Sequence, residues 1–229
     1  MTPPQGLIYS TKPLHARATD GHTYILKGPD TSVVFAETAC YQLAALVGLS
    51  VPPCRLCTLP GTGGVVFASR ELRTRSALET LVRTGKVLNP ELLEEAIAFD
   101  VWVANEDRNM GNIVGEPRAT NGTGTLKLYA IDFEKAAVLA GTDRFTVTAM
   151  PAAKFWPSGV LGDVCGNLSV PAAFCTRISA VQRPAVAALV HQTVWDLNMP
   201  QVPWIDTAID VLVQRASRIT DLVNEVWND

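Results

Sequence analysis

The sequence predicts an α+β chain, with a small antiparallel front that carries one helix and a mostly helical remainder. Three observations lead there. Short runs rich in β-branched and aromatic residues, separated by turn signals, fill the stretch before Arg70. Helical spacing takes over from Ser76. Two polar motifs flanking a predicted hairpin then interrupt the helical part.

In chain order, Leu7–Ser10 and His15–Ala18 are short strand candidates, and Thr23–Lys27 is a stronger one behind the Asp20-Gly21 turn. Phe35–Val47 has helical spacing, with Phe35, Ala39, Leu43 and Leu46 on one face, and Gly48 stops it. Cys54–Leu59 and Val65–Ser69 pair around the glycines of 61–64. Asn89-Pro90-Glu91 reads as a helix start, an N-cap with proline at N1 and an acid in the first turn, and the helix runs to about Ala104. A hairpin follows between Ile113-Val114 and Leu126–Ile131, with Asn121-Gly122 in its polar loop. Ala185–Trp195 and Pro203–Trp227 complete the helical part, and Trp102, Trp195, Trp204 and Trp227 fall at core positions. The change from strands to helices sets a boundary near Arg70–Thr74, giving lobes of 1–72 and 73–229.

Composition excludes several classes of function. Hydrophobic residues at 48% and charged residues at 18% argue against disorder, and a net charge of −3 gives no reason to expect nucleic acid or an anionic membrane as partner. The N-terminus lacks a signal-peptide pattern and no apolar run is long enough to span a bilayer, so a cytoplasmic protein is expected. Five cysteines do not suggest a disulfide framework. Cys54-Arg-Leu-Cys57 has no second pair at zinc-ribbon distance, and three scattered histidines make no metal cluster.

The chemistry lies in order and spacing. Asp107 is followed five residues later by Asn112, and Asp132 closes the hairpin after it in Tyr-Ala-Ile-Asp-Phe-Glu. An Asp-x-x-x-x-Asn alone arises by chance in about one of every two chains of this size. Here Lys27 closes a strand and Glu37 lies on the next helix, both ahead of the two motifs. Phosphoryl transfer needs such a set, because the protein's work is positioning and charge neutralisation. A strand lysine reaches the α/β-phosphates of ATP, and a helix glutamate fixes it by an ion pair. Asp107 orients or deprotonates the attacking hydroxyl, while Asn112 and Asp132 hold Mg²⁺. Ser69, Glu71 and Leu72 mark the expected hinge, where backbone groups would read adenine. Arg108 and Asn105 are expected to brace the loop through backbone hydrogen bonds.

The chain resembles the HipA-like kinases, in particular a short stand-alone branch related more distantly to phosphoinositide kinases. The resemblance rests on Tyr24–Gly28, Ala36–Pro52, Phe99–Arg108, Asn112-Ile113 and Leu128–Phe133, with Val202-Pro-Trp-Ile205 and Arg215 resembling the family's closing helix. It spans about residues 5 to 225 and implies a bilobal protein-kinase-like fold using ATP and Mg²⁺. By matching position it assigns Lys27 to phosphate, Asp107 to catalysis, and Asn112 and Asp132 to the metal. Three features depart from the family pattern. Asn109 stands where full-length HipA proteins have histidine, Glu134 replaces the glycine after Asp-Phe, and no glycine-rich phosphate loop joins the first strands. Ser10–Pro13 is the only candidate cover there, with Lys12 acting through charge. Glu134 is expected either to crowd the phosphates or to add a ligand. At 229 residues no counterpart of the large extra N-terminal domain of HipA toxins is expected, which argues against antitoxin pairing.

Two functions follow. One is an ATP- and Mg²⁺-dependent phosphotransferase acting on a protein serine or threonine, or on a small hydroxyl compound. The other is a catalytically silent module that binds nucleotide or a partner. The intact set Lys27, Asp107, Asn112 and Asp132 favours the first.

Overall fold

The computed structural model describes residues 14–72, 82, 84–120, 123–139, 170–200 and 203–228. It begins with β1 (Leu14–Arg17) and β2 (Thr23–Lys27), joined through Asp20-Gly21, where Gly21 takes a φ of 80° and donates to Ala18 O. Helix α1 (Thr31–Val47) follows, then β3 (Cys54–Thr58) and β4 (Val65–Arg70). The four strands form one antiparallel sheet in the order β1-β2-β4-β3, with Lys27 opposite Phe67 and Phe67 opposite Leu56. Helix α1 covers this face, and Tyr41 packs edge-on to Phe67 at 4.7 Å between centroids.

Helix α1 begins four residues before the predicted start. The Asp30 carboxylate caps it, accepting from the Ser32 amide at 2.8 Å and its hydroxyl at 2.7 Å. This cap outweighs the β-branched Thr31, Val33 and Val34 that obscure the helix in the sequence. Asp30→Ala is expected to cost about 1 kcal/mol in urea unfolding. At the far end Gly48 adopts φ 76° and its N–H bonds back to the last turn, as predicted of a helix stop. Between β2 and α1 the backbone passes so close that a Cβ on Gly28 would meet Val34 Cγ2 at 2.6 Å. Only glycine fits this close approach, where φ is 117°.

Helix α2 (Leu92–Val103) is buried almost all round and forms the axis of the helical part. A 3-10 turn (Met110–Asn112) leads into β5 (Ile113–Thr120) and β6 (Thr123–Ala130), a hairpin paired from Ile113↔Ala130 out to Thr120↔Thr123. Both strands extend well beyond the predicted ones, and cross-strand pairing accounts for the added residues. Helices α3 (Ala172–Ser179), α4 (Arg183–Asp196), α5 (Trp204–Ser217) and α6 (Ile219–Asn228) complete the described chain. One apolar core joins α1, α2 and the hairpin base to α3–α6, and Phe35 of α1 meets Trp204 edge-on at 5.5 Å.

Several expectations need correction. Asn89 does not cap α2. Its side-chain amide pairs instead with the Leu128 backbone, donating to O at 3.1 Å and accepting from N at 2.8 Å. Residues 86–88 run alongside β6, which draws Asn89 to the strand and away from the helix. The predicted helix 203–227 is two helices that break at Arg218, and the bend returns Ile219, Leu222, Val223 and Val226 to the core. Trp195 is 81% exposed on α4 and is not a core residue. Cys54 and Cys57, three apart on β3, fall on opposite faces of the strand and are free thiols. The predicted strand at 7–10, the cover at 10–13 and the start of the helical pattern at Ser76 lie outside the described residues.

Candidate active site

Strand β2 delivers Lys27 to the edge of α1, two helical turns from its start. Lys27 Nζ lies 2.5 Å from Glu37 Oε1, 2.5 Å from Asp132 Oδ1 and 3.5 Å from Glu134 Oε2. Burial alone would lower this ammonium's pKa. Glu37 and Asp132 override that and hold it above the ordinary lysine range. Burial raises the Glu37 carboxyl against the pull of Lys27. Glu37 Oε1 also accepts from the Phe133 amide at 2.9 Å, so one carboxylate joins α1, β2 and the Asp132-Phe133 segment. The buried Phe133 ring packs edge-on to Phe99 at 5.3 Å and to Tyr41 at 5.7 Å, fixing that segment against the core.

Asp132 takes a left-handed backbone with φ 68°, an uncommon state that aspartate tolerates better than most residues. The neighbouring contacts hold it there. Ile131 N donates to Asn112 O at 3.0 Å, and Asn105 Nδ2 reaches Asp132 O at 3.4 Å. Strain that surrounding contacts over-determine in this way is typical of functional positions.

The second motif is built by the exit from α2. Ala104 ends that helix in the left-handed region, and the buried Arg215 guanidinium donates to Val101 O and Trp102 O just before it. Asp107 and Asn112 then meet through the backbone, Asn112 Nδ2 donating to Asp107 O at 2.6 Å. Asp107 itself is exposed and Asn112 is buried. Asn109 stiffens the turn by accepting from Gly111 N at 2.8 Å and donating to Asp107 O at 3.1 Å.

Arg108 links the two motifs. Its guanidinium forks onto Asp100 at 2.6 and 2.9 Å, and Nη1 donates to both Asn112 O at 2.8 Å and Ile131 O at 2.6 Å. It also stacks over Phe133, 4.9 Å from the ring centroid. Asn105 Nδ2 donates to Asp100 at 2.9 Å. The expected bracing by Arg108 and Asn105 is present. The carboxylate that anchors it, Asp100, was not anticipated, although an acid inside the apolar run Ala-Phe-Asp-Val-Trp is a legible signal, since such groups are rarely buried unpaired.

Lys27, Glu37 and Asp132 therefore converge directly, and Asp107 and Asn112 join them through Arg108 and Ile131. The hinge residues sit apart. Ser69 lies on β4 opposite Ile25 and Cys54, and the Glu71 amide donates to Thr23 O at 2.8 Å. Leu72 packs with Val114, Tyr129 and Ile131 in a small apolar cluster separate from the main core.

A HipA-like kinase family profile matches residues 8–139, more than half of the chain. The chain belongs to the HipA-like kinases. Among solved structures, it is similar to the crystal structure of a Helicobacter pylori proinflammatory kinase, CtkA, at 16% identity and a TM-score of 0.52 over 94% of each chain. That likeness gives this HipA-like kinase its kinase fold. No curated protein matches the sequence. Among the described residues, no helix of the kinase is long and apolar enough to cross a membrane.

Proposed function

We propose that this HipA-like kinase transfers the γ-phosphoryl group of ATP to a serine or threonine hydroxyl of a protein, with Mg²⁺, in the cytoplasm. The observation that carries the reading is Lys27, set between Glu37 and Asp132 and fixed through Phe133 and Arg108 to the Asp107–Asn112 loop. The lobes would divide at 1–72 and 73–229. The donor set fits a hard cation. It is made of oxygens, its carboxylates outnumber its ammonium, and Glu37 Oε2 is buried with no hydrogen-bond partner. Asn112 Oδ1 and the Asp132 carboxylate would hold Mg²⁺, which would supply positive charge to offset that of the phosphates.

The chain's own groups supply the rest. Lys27, freed from Asp132, neutralises the α- and β-phosphates while Glu37 keeps its ammonium in place. Asp107 faces solvent, where a protein side chain can reach it, and accepts the hydroxyl proton. The hydroxyl oxygen then bonds to the γ-phosphorus as the bond to the β–γ bridging oxygen breaks, leaving ADP.

Labelled ATP with Mg²⁺, followed by analysis of phosphorylated residues in the protein and in a lysate, tests the reading. Acid-stable label on serine or threonine is expected, and label confined to small molecules would overturn the protein acceptor. Asp132→Ala is expected to remove the Mg²⁺-dependent part of ATP binding in calorimetry. Equal metal enhancement in the wild type and this variant would take Asp132 out of the site.

A further inference from the structure

Three acids meet one base at the end of β2. Glu37, Asp132 and Glu134 each place a carboxylate oxygen within 4.8 Å of the others, around the single Lys27 ammonium. Among the described residues two other cations lie nearby, and neither balances the group. Lys135 Nζ is 3.9 Å from the far oxygen of Glu134 on an exposed side chain, where solvent screens it. Arg108 is already matched by Asp100. Glu37, with a side chain only 1% exposed, keeps Oε2 buried without a hydrogen bond. Unsatisfied buried oxygen and uncompensated negative charge call for a cation, and a set made only of oxygens selects a hard divalent one.

The Glu134 side chain, following Phe133, folds back toward Lys27 beside Asp132. We infer that Glu134 is a cation ligand, and that the protein binds a divalent cation among Glu134, Asp132 and Glu37 Oε2 before any nucleotide arrives. Lys27 leaves Asp132 on loading and stays on Glu37. The inference rests on the phosphotransferase reading for its purpose, since a preloaded cation would receive the phosphates, but its test does not depend on turnover.

The test is Mn²⁺ binding to the whole protein without nucleotide, followed by electron paramagnetic resonance and calorimetry, with Mg²⁺ as competitor. One saturable, Mg²⁺-displaceable site is expected in the wild type. Glu134→Gln keeps size and hydrogen bonding while removing the charge, and should weaken it by at least about tenfold, the scale seen when groups around a metal are removed. Glu134→Asp should retain part of the affinity, and circular dichroism shows whether each variant is folded. Absence of saturable binding in the wild type, or equal affinity in wild type and a folded Glu134→Gln, would overturn the inference. Either result alongside ATP-dependent labelling would leave the kinase reading standing. Glu134-dependent Mn²⁺ binding without any labelling would instead keep this site and remove that reading.

Discussion

Asp107→Asn is expected to lower turnover by at least about 10²-fold while nucleotide affinity stays within a few-fold of wild type. Asparagine retains the shape of the side chain but accepts no proton. The Asp107 contacts that organise the loop run through its backbone carbonyl, which accepts from Asn109 and Asn112 and survives the change. The exposed carboxylate carries no packing of its own, so the folded state should be unaffected. Single-turnover rates and ATP binding measured on the same preparations separate the two quantities. Unchanged turnover would remove Asp107 from the chemistry, whereas parallel loss of binding would show that the loop had been disturbed.

Arg108→Ala should produce the largest loss of stability of any single change near the site, about 3–5 kcal/mol in urea unfolding. It strands the Asp100 carboxylate in the core and deprives Asn112 O and Ile131 O of a donor in one step. Arg108→Lys restores the charge but not the planar fork that reaches one carboxylate and two carbonyls together, so it should recover only part of the loss. A cost below about 1 kcal/mol for Arg108→Ala would mean that the network is solvated and that the two motifs are held by other contacts.

Local rules were enough wherever the chain satisfies itself within a few residues. The ends of β2 and the glycine stop of α1 follow from neighbours in sequence, and so did their reading. The failures have a different physical origin. Asn89 carries every mark of a helix cap, yet β6, far along the chain, offers its amide two backbone partners instead. The break at Arg218 arises because the residues after it pack back on the core, which the unbroken periodicity of 203–227 hides. Within the site, the positions of Lys27, Glu37 and Asp132 were legible from their order. What holds them was less so. Asp100 looks like one more residue of an apolar helix until Arg108 is seen against it. Trp195 shows the converse limit, since spacing alone could not tell a helix face turned to the core from one turned to solvent.

The β5–β6 hairpin has a bearing on how relatives of this kinase are found. Asn112 and Asp132 are brought side by side by the Ile113↔Ala130 pair at its base and by the Arg108 clamp across it. None of those contacts depends on how far the strands extend before turning. The chain length between the two motifs is therefore a free variable, and paired insertions or deletions at the tip should accumulate over evolution without touching the chemistry. A search pattern that fixes that interval would discard genuine relatives, while one that lets it vary and requires an arginine directly after the first aspartate would retain those built on the same clamp. The hairpin tip is equally the natural place to graft a label or an affinity handle.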